Sequence, residues 1–202
     1  MKIPLFPLDV VLFPGAQLPL HIFEERYKEM IEFCLAEDMP FGVVRAQREG
    51  LAVIGCTASI TRVLHRYPDG RLDIMTQGRE RFEIEQLDNS RSFLQAEVDF
   101  FDDDEGASST RAQREECMAL HFEVLELAGV EAQILPLNLD CLISFQLAAA
   151  LPSDLGFKQQ LLGLRSDAER SRHLLDFYNA MLPKLRRGAQ ATKRAADNGH
   201  IM

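Results

Sequence analysis

The segment that most constrains the fold is PLFPLDVVLFPGAQLPLHIFEERY, residues 4–27. Its four prolines each fix φ and remove a backbone donor, so the segment cannot be one long helix. They also break any apolar core of a secretory signal. The prolines are Pro4, Pro7, Pro14 and Pro19.

The prolines divide this segment into short pieces. The first two are expected to precede a first strand, which the β-branched and aromatic run DVVLF would form. Pro14-Gly15 predicts the turn that ends this strand, and Pro19 is expected to begin an extended lead-in to a helix. Helical spacing of apolar residues then predicts an amphipathic helix that packs one stripe on a sheet. The stripe is Phe23, Tyr27, Met30 or Ile31, and Cys34.

The rest of the first half is dominated by strand signals. Pro68-Asp69-Gly70 separates two apolar runs, residues 59–67 and 71–78, and predicts a β-hairpin. Gly78 precedes a charged run and predicts a bulge or a close backbone approach. Further strands are predicted at residues 40–47, 81–88 and 93–101.

The second half carries helix signals. Thr110 and Gln113 have capping-box spacing and open a helix that Gly129 closes. Its predicted stripe is Cys117, Leu120, Val124 and Leu127. Helices are also predicted at residues 139–151 and 157–164. The last helix begins at the capping box of Ser166 and Glu169, with Pro183 bending it and Gly188 ending it. Its predicted stripe is His173, Leu174, Phe177 and Met181.

These signals predict an α+β fold: an N-terminal β subdomain with one inserted helix, followed by a C-terminal helical subdomain. The predicted boundaries are 1–101 for the β subdomain, 102–110 for an acidic linker and 111–188 for the helical bundle. The basic residues 189–202 are expected to be disordered.

Charge and cysteine spacing limit the function classes. The net charge of −9 arises entirely in residues 1–105, which hold 11 Lys/Arg and 20 Asp/Glu, so nucleic acid is not expected as the main partner. No apolar run is long enough to span a bilayer, and no membrane partner is expected. The cysteines are far apart, which predicts free thiols in the cytoplasm and no zinc site. They are Cys34, Cys56, Cys117 and Cys141.

Catalytic residues are scarce. His21 lies near Glu24 and Glu25, as a general base would need, but an exposed residue in an extended segment fits equally. No G-x-S-x-G motif positions a serine, and the acids from Asp102 to Glu105 are expected to be solvated rather than to bind calcium. We therefore expect no catalytic residue, no metal and no cofactor.

Three arginines, Arg26, Arg79 and Arg81, are expected to form structural ion pairs rather than ligand contacts. Arg26 is expected to pair with Glu24 of its own segment or to reach across to the strand that holds Glu80 and Glu83.

The opening segment resembles the N-terminal domain of Lon proteases. The resemblance is carried by a pattern of apolar, proline and charged residues: Pro7, Leu8, Val11, Phe13, Pro14, Pro19, Leu20, Ile22, Phe23, Glu24, Arg26 and Tyr27. Later segments follow the family in order, through glycines at 42, 55, 70 and 78, Arg81, and residues 157–175. The resemblance covers roughly residues 3–183. It implies that the N-terminal part is a PUA-like β-barrel subdomain with one inserted helix, that a C-terminal helical subdomain follows, and that the chain has a substrate-binding role.

Lon proteases continue into an ATPase and a peptidase, whereas no Lys here precedes Ser or Thr, so the chain has no G-K-[ST] phosphate loop. The resemblance therefore implies a free-standing, non-catalytic module that binds unfolded or tagged polypeptides and docks with a protease or chaperone. A shallow apolar groove with an acidic rim would suit such segments, and five residues either line it or belong to the core: Leu20, Phe23, Arg26, Tyr27 and Phe41. The alternatives are a PUA-like RNA-binding protein and a small-molecule-binding or hydrolytic enzyme.

Overall fold

The computed structural model describes residues 1–130 and 143–198 of the chain. They belong to two compact units. The first comprises Met1–Asp103 and Ala148–Gly163, and the second comprises Asp104–Leu147 and Leu164–Met202. The predicted division placed all of 111–188 in one helical subdomain, whereas residues 148–163 pack with the sheet.

The first unit contains a seven-stranded sheet and confirms the α+β class. Its strands are β1 (Lys2–Leu8), β2 (Gln17–Ile22), β3 (Phe41–Gln47), β4 (Gly50–Leu51), β5 (Ile54–Arg66), β6 (Leu72–Asp88) and β7 (Gln95–Phe101). The strand order is β1-β7-β6-β5-β3-β4, with β2 paired to β6. The sheet curls far enough for β1 to pair also with β3. It is barrel-like without being a regular closed barrel, because β2 and β4 lie off the ring of paired strands.

The first strand lies earlier than the sequence indicated. Pro4 and Pro7, expected to precede it, lie inside β1, and the apolar residues that follow Asp9 form a buried loop instead. The prolines are tolerated because β1 changes partner between them. Residues 2–4 pair with β7 and residues 5–8 with β3.

Each proline lacks a backbone N–H, and the side of β1 toward which that N–H would point explains why the strand tolerates it. Leu5 N donates to Leu94 O at 2.8 Å, so odd-numbered residues of β1 turn their N–H toward β7. The backbone nitrogen of Pro7 faces the β7 side of the strand, but β7 has no residue paired with β1 at that position. The backbone nitrogen of Pro4 faces the β3 side, where pairing with β3 begins only at Leu5. Neither proline removes a sheet hydrogen bond.

The two predicted turns are confirmed. Phe13 O accepts a hydrogen bond from Ala16 N at 3.1 Å across Pro14-Gly15, and the φ of +79° at Gly15 is the conformation that a type II turn requires. In the hairpin between β5 and β6, Gly70 N donates to Tyr67 O at 3.0 Å, again with a positive φ of +82°.

The inserted helix is α1 (Glu25–Ala36), and it buries Tyr27, Met30, Ile31 and Cys34. The predicted stripe is correct except at its first member. Phe23 lies two residues before the helix begins, and its side chain is 60% exposed. The unit also contains α4 (Leu155–Gly163), which buries Leu161 and Leu162.

The second unit is built mainly from α2 (Arg111–Leu127) and α5 (Asp167–Asn198). The helix between α2 and α4 is α3 (Ile143–Ala150). The capping box of Thr110 and Gln113 is confirmed, and Glu169 N donates to Ser166 Oγ at 3.2 Å at the start of α5. Helix α5 continues through Pro183 and Gly188, the predicted end, and includes residues 189–198, which were expected to be disordered. The helix predicted at 139–151 lies partly outside the described residues. Cys141 and His200 lie wholly outside them.

A buried charged network holds the start of α5. The Asp167 carboxylate accepts from Ser144 Oγ at 2.6 Å and from Ser109 N at 3.0 Å. Arg170, fully buried, donates to Ser144 Oγ at 3.0 Å and stacks on the Phe145 ring at 3.9 Å. Ser109 is therefore fixed in the interior, although it was expected to lie in a solvated linker.

Within the described residues, none of the helices is long and apolar enough to cross a membrane.

Candidate functional site

The five residues proposed from the sequence separate into two groups. Phe41 is fully buried and Tyr27 is 8% exposed, and both pack on Phe6, with ring centroids 6.0 Å and 4.1 Å away. Leu20 is half-buried on β2. Phe23 and Arg26 are exposed, so the accessible part of the predicted set lies at the junction between β2 and α1.

Phe23 belongs to a group of rings that we call the aromatic surface: His21, Phe23, His65 and Tyr67. The His21 and Phe23 rings are stacked with centroids 5.9 Å apart, and His21 meets Tyr67 edge-on at 5.9 Å. His65 meets Tyr67 at 4.3 Å. The rings come from β2, its junction with α1, and the tip of the β5–β6 hairpin. The register between β2 and β6 brings these distant segments together.

Asp73, on β6 directly opposite His65, orients two of these rings. Its carboxylate lies 2.6 Å from His21 Nδ1 and accepts from the Tyr67 hydroxyl at 2.8 Å. The hydrogen bonds from His21 and Tyr67 lower the pKa of Asp73, and the bond between Tyr67 and Asp73 raises the pKa of Tyr67. The carboxylate therefore fixes both rings and leaves Phe23 as the exposed apolar member.

The outer edge of β2 carries no strand partner in the part of the chain that the structure describes. Gly78 N donates to Ala16 O at 2.8 Å, so the even-numbered residues of β2 turn their backbone N–H and C=O groups toward β6. Because the backbone groups of successive residues point to opposite edges of a strand, those of Gln17, Pro19 and His21 point away from β6. Pro19 lacks an N–H, so this edge offers two donors and three carbonyls beside the aromatic surface.

Two of the three arginines form the predicted structural ion pairs. Arg26 binds Glu24 at 2.8 Å and stacks on the Tyr27 ring at 4.5 Å. Arg81, only 3% exposed, binds Asp103 at 2.7 Å and donates to Leu162 O at 3.1 Å. Asp103 lies in the acidic run that was expected to be solvated. Arg79 is exposed on β6.

The candidate catalytic and metal-binding residues of the sequence have other partners in the part of the chain that the structure describes. His21 binds Asp73, which lies on β6, rather than the nearby Glu24 or Glu25. Burial raises the pKa of the Cys34, Cys56 and Cys117 thiols to about 12, the opposite of what a nucleophile needs. Among the described residues, no three His, Cys, Asp or Glu side chains converge to hold a metal ion.

Sequence reasoning found Phe23 and missed its neighbours. His65, Tyr67 and Asp73 lie more than forty positions from Phe23, and no local motif marks them. The predicted hairpin was the available signal, but its tip could not be placed beside β2 without the register between β2 and β6.

Comparison with known proteins identifies relatives of this chain. The profile of the ATP-dependent protease La (LON) substrate-binding domain matches residues 2–183. Lon protease 2 of Herpetosiphon aurantiacus is 30% identical over 190 residues, which are 86% of this chain and 23% of that protein. Lon protease of Escherichia coli K12 is 26% identical over 196 residues, 87% of this chain and 24% of that protein. The chain thus spans about a quarter of the length of these curated relatives.

Two solved structures resemble the fold. A Lon N-terminal domain protein from Xanthomonas campestris has a TM-score of 0.70 and 25% identity, covering 87% of this chain and 98% of that one. The N-terminal domain of Lon protease from the Mycobacterium avium complex has a TM-score of 0.66 and 20% identity, covering 89% and 98%. Because the profile match extends over nearly all of the described structure, this chain belongs to the Lon substrate-binding domain family.

Proposed function

We propose that the chain is a non-catalytic polypeptide-binding module that holds unfolded or tagged segments on the aromatic surface and the outer edge of β2. The observation that carries this proposal is the exposure of Phe23, at 60%, at the end of an edge strand that lacks an outer partner among the described residues. A large exposed apolar ring beside unpaired backbone groups is a combination that an extended chain can bind.

The geometry assigns a different task to each part. The outward backbone groups of Gln17 and His21 would pair with an extended segment, as an added strand does. Phe23 would cover an apolar side chain of that segment. The net charge of −9 arises in residues 1–105, which form most of this unit, so basic residues flanking the apolar segment would be favoured.

The family relationship supports a binding role, since the match covers only the substrate-binding domain of Lon proteases. We propose that this chain does not hydrolyse peptide or nucleotide itself and passes its clients to a protease or chaperone in the cytoplasm. Of the two alternatives that the sequence left open, RNA binding is disfavoured because residues 1–105, which include the aromatic surface, hold 20 Asp/Glu against 11 Lys/Arg and would repel phosphates.

The test is titration of labelled, unstructured peptides that contain an apolar segment with Lys/Arg flanks, followed by fluorescence anisotropy. Burying a Phe side chain contributes about 1.5–3 kcal/mol, so Phe23→Ser should weaken binding by at least about tenfold. Phe122→Ser is the matched control because Phe122 is also exposed, at 39%, and lies on α2. Equal affinities for the wild-type chain and both variants would remove Phe23 from the binding surface.

A further inference from the structure

The side chains of β2 form two rows, one on each face of the sheet. The row that we call the inner face consists of Leu18, Leu20 and Ile22, which lie opposite buried residues of β6: Thr76, Ile74 and Leu72. Ile22 is buried, whereas Leu18 and Leu20 are only half-buried at the edge of the sheet. A strand added outside β2 would cover the remaining surface of Leu18 and Leu20 with side chains of its own.

The opposite row, which we call the outer face of β2, is exposed. It consists of Gln17, Pro19 and His21, which lie opposite Gln77, Met75 and Asp73 of β6. Phe23 stacks on the His21 ring at one end of this face. Side chains of an added strand on this face would remain in contact with water, except beside Phe23. The two faces together therefore favour a client strand in which apolar and polar residues alternate.

The edge of β2 is regular, whereas the other open edge of the β5–β6 hairpin is not. Beyond Ala58, β5 has no partner on its outer side among the described residues. In this part its pairing with β6 shifts register twice, between Ile60 and Arg62 and between Val63 and His65. Such irregularities interrupt the alternation of backbone groups and hinder the pairing of a further strand. Strand β2 pairs with β6 over six consecutive residues without a shift, so its outer edge can accept a strand.

Pro19 selects between the strands that could use this edge, because it offers a carbonyl but no N–H. If two copies of this chain paired their β2 edges antiparallel about Pro19, two carbonyls would face each other there without a donor. A different chain with an N–H at that position would donate to the Pro19 carbonyl instead. The edge therefore favours a client over a second copy.

We infer that the client pairs antiparallel with β2 through five residues of alternating character. Its positions 1 to 5 lie opposite His21, Leu20, Pro19, Leu18 and Gln17, in that order. Positions 2 and 4 are apolar and cover the inner face, position 1 is apolar beside Phe23, and positions 3 and 5 are polar. Antiparallel pairing is the more stable arrangement per residue, and it directs the N–H groups of positions 1, 3 and 5 toward β2.

This inference rests on the proposed function and names the class of client. It is a segment with the alternation of a β-strand, rather than one with helical spacing or an unbroken apolar run. Lys flanks are favoured because residues 1–105 carry the whole net charge of −9.

The test compares two labelled peptides of equal composition by fluorescence anisotropy: Lys-Lys-Phe-Val-Thr-Val-Thr-Lys-Lys and Lys-Lys-Phe-Val-Val-Thr-Thr-Lys-Lys. The second places Thr at position 4, opposite Leu18, so the alternating peptide should bind about fivefold more tightly. Leu18→Thr should reduce this preference to less than about twofold. Leu64→Thr is the matched control, because Leu64 is 44% exposed on the irregular edge of β5, and it should keep the preference.

Backbone methylation of the alternating peptide tests the pairing itself. An N-methyl group at position 3 removes the N–H that would donate to the Pro19 carbonyl and should weaken binding at least about fivefold. The same group at position 2, where the N–H points away from β2, should change affinity by less than about twofold. This comparison uses the wild-type chain and does not depend on whether the Leu18→Thr variant folds.

Each outcome bears on one proposal. Equal affinities for the two peptides, or a preference that survives Leu18→Thr, would refute the alternating class. Weakening by methylation at position 2 but not at position 3 would mean that the client runs parallel to β2 and would overturn the antiparallel assignment. A wild-type dimer in sedimentation that peptide dissociates would make a second copy the occupant. In the first two cases, binding that depends on Phe23 would still uphold the proposed function, whereas no peptide binding at all would remove that as well.

Discussion

Gly78→Ala is the substitution that tests most directly how β2 is held. Gly78 lies on β6 beneath the turn that leads into β2, and a Cβ at this position would lie 2.1 Å from Phe13 O. Ordinary contact begins at 3.4 Å, so the turn would have to move by 3.4 − 2.1 = 1.3 Å. That movement would also break the bonds from Gly15 N to Gly78 O, 2.9 Å, and from Gly78 N to Ala16 O, 2.8 Å.

The expected loss of stability follows from these contacts. Overpacking against backbone costs about 1–3 kcal/mol and each lost backbone hydrogen bond about 1 kcal/mol. Replacing Gly by Ala returns about 0.4–1 kcal/mol by restricting the unfolded chain. The net loss is about 2–5 kcal/mol, a large fraction of the ~5–15 kcal/mol that stabilises a typical domain.

The assay is urea unfolding followed by far-UV circular dichroism, with hydrogen exchange to locate the loss. Gly188→Ala is the matched control, because a Cβ there meets nothing within 4 Å and Ala favours a helix by about 0.8–1 kcal/mol. We expect Gly78→Ala to destabilise the protein, with faster exchange in β2 and β6, and Gly188→Ala to stabilise it. Two variants that shift stability in the same direction would refute the reasoning.

Two further predictions concern buried titratable groups. Burial lowers the pKa of His121 below its ordinary value of 6.5, so below pH 6.5 the unfolded chain takes up a proton that the folded chain does not. Stability should therefore fall on acidification from pH 6.5, by at most about 1.4 kcal/mol per pH unit from this group, and His121→Gln should remove that fall in urea titrations at pH 7.5 and 5.5. The thiols with a pKa of about 12, Cys34, Cys56 and Cys117, are about 10⁻⁴ thiolate at pH 8, so peptide mass mapping after native treatment with iodoacetamide should find them unmodified. Rapid native labelling of any of them would contradict their burial.

Features governed by local chemistry could be predicted from the sequence. The turns at Pro14-Gly15 and Pro68-Asp69-Gly70 form as expected, because proline and glycine fix the backbone without help from the rest of the fold. The capping box at Thr110 also forms as expected, because it depends only on neighbouring residues in the same segment. The α+β class followed from these local signals and from the hydrophobic periodicity.

Features that depend on tertiary partners could not be predicted. Whether Pro4 and Pro7 end a strand depends on which side of β1 has a neighbour, and that is a property of the sheet rather than of the segment. His121 is buried with its Nδ1 3.0 Å from the Tyr178 hydroxyl on α5, a partner that the spacing within α2 does not reveal.

The central claim, that an extended chain binds along the outer edge of β2 beside Phe23, is tested most directly by hydrogen–deuterium exchange with and without an unstructured peptide at its Kd for the wild-type chain. We predict slower exchange of the outward amides of Gln17 and His21 in the wild-type chain, and little change in Phe23→Ser at the same peptide concentration. Unchanged exchange in β2, with peptide demonstrably bound and protection confined to another surface, would contradict it.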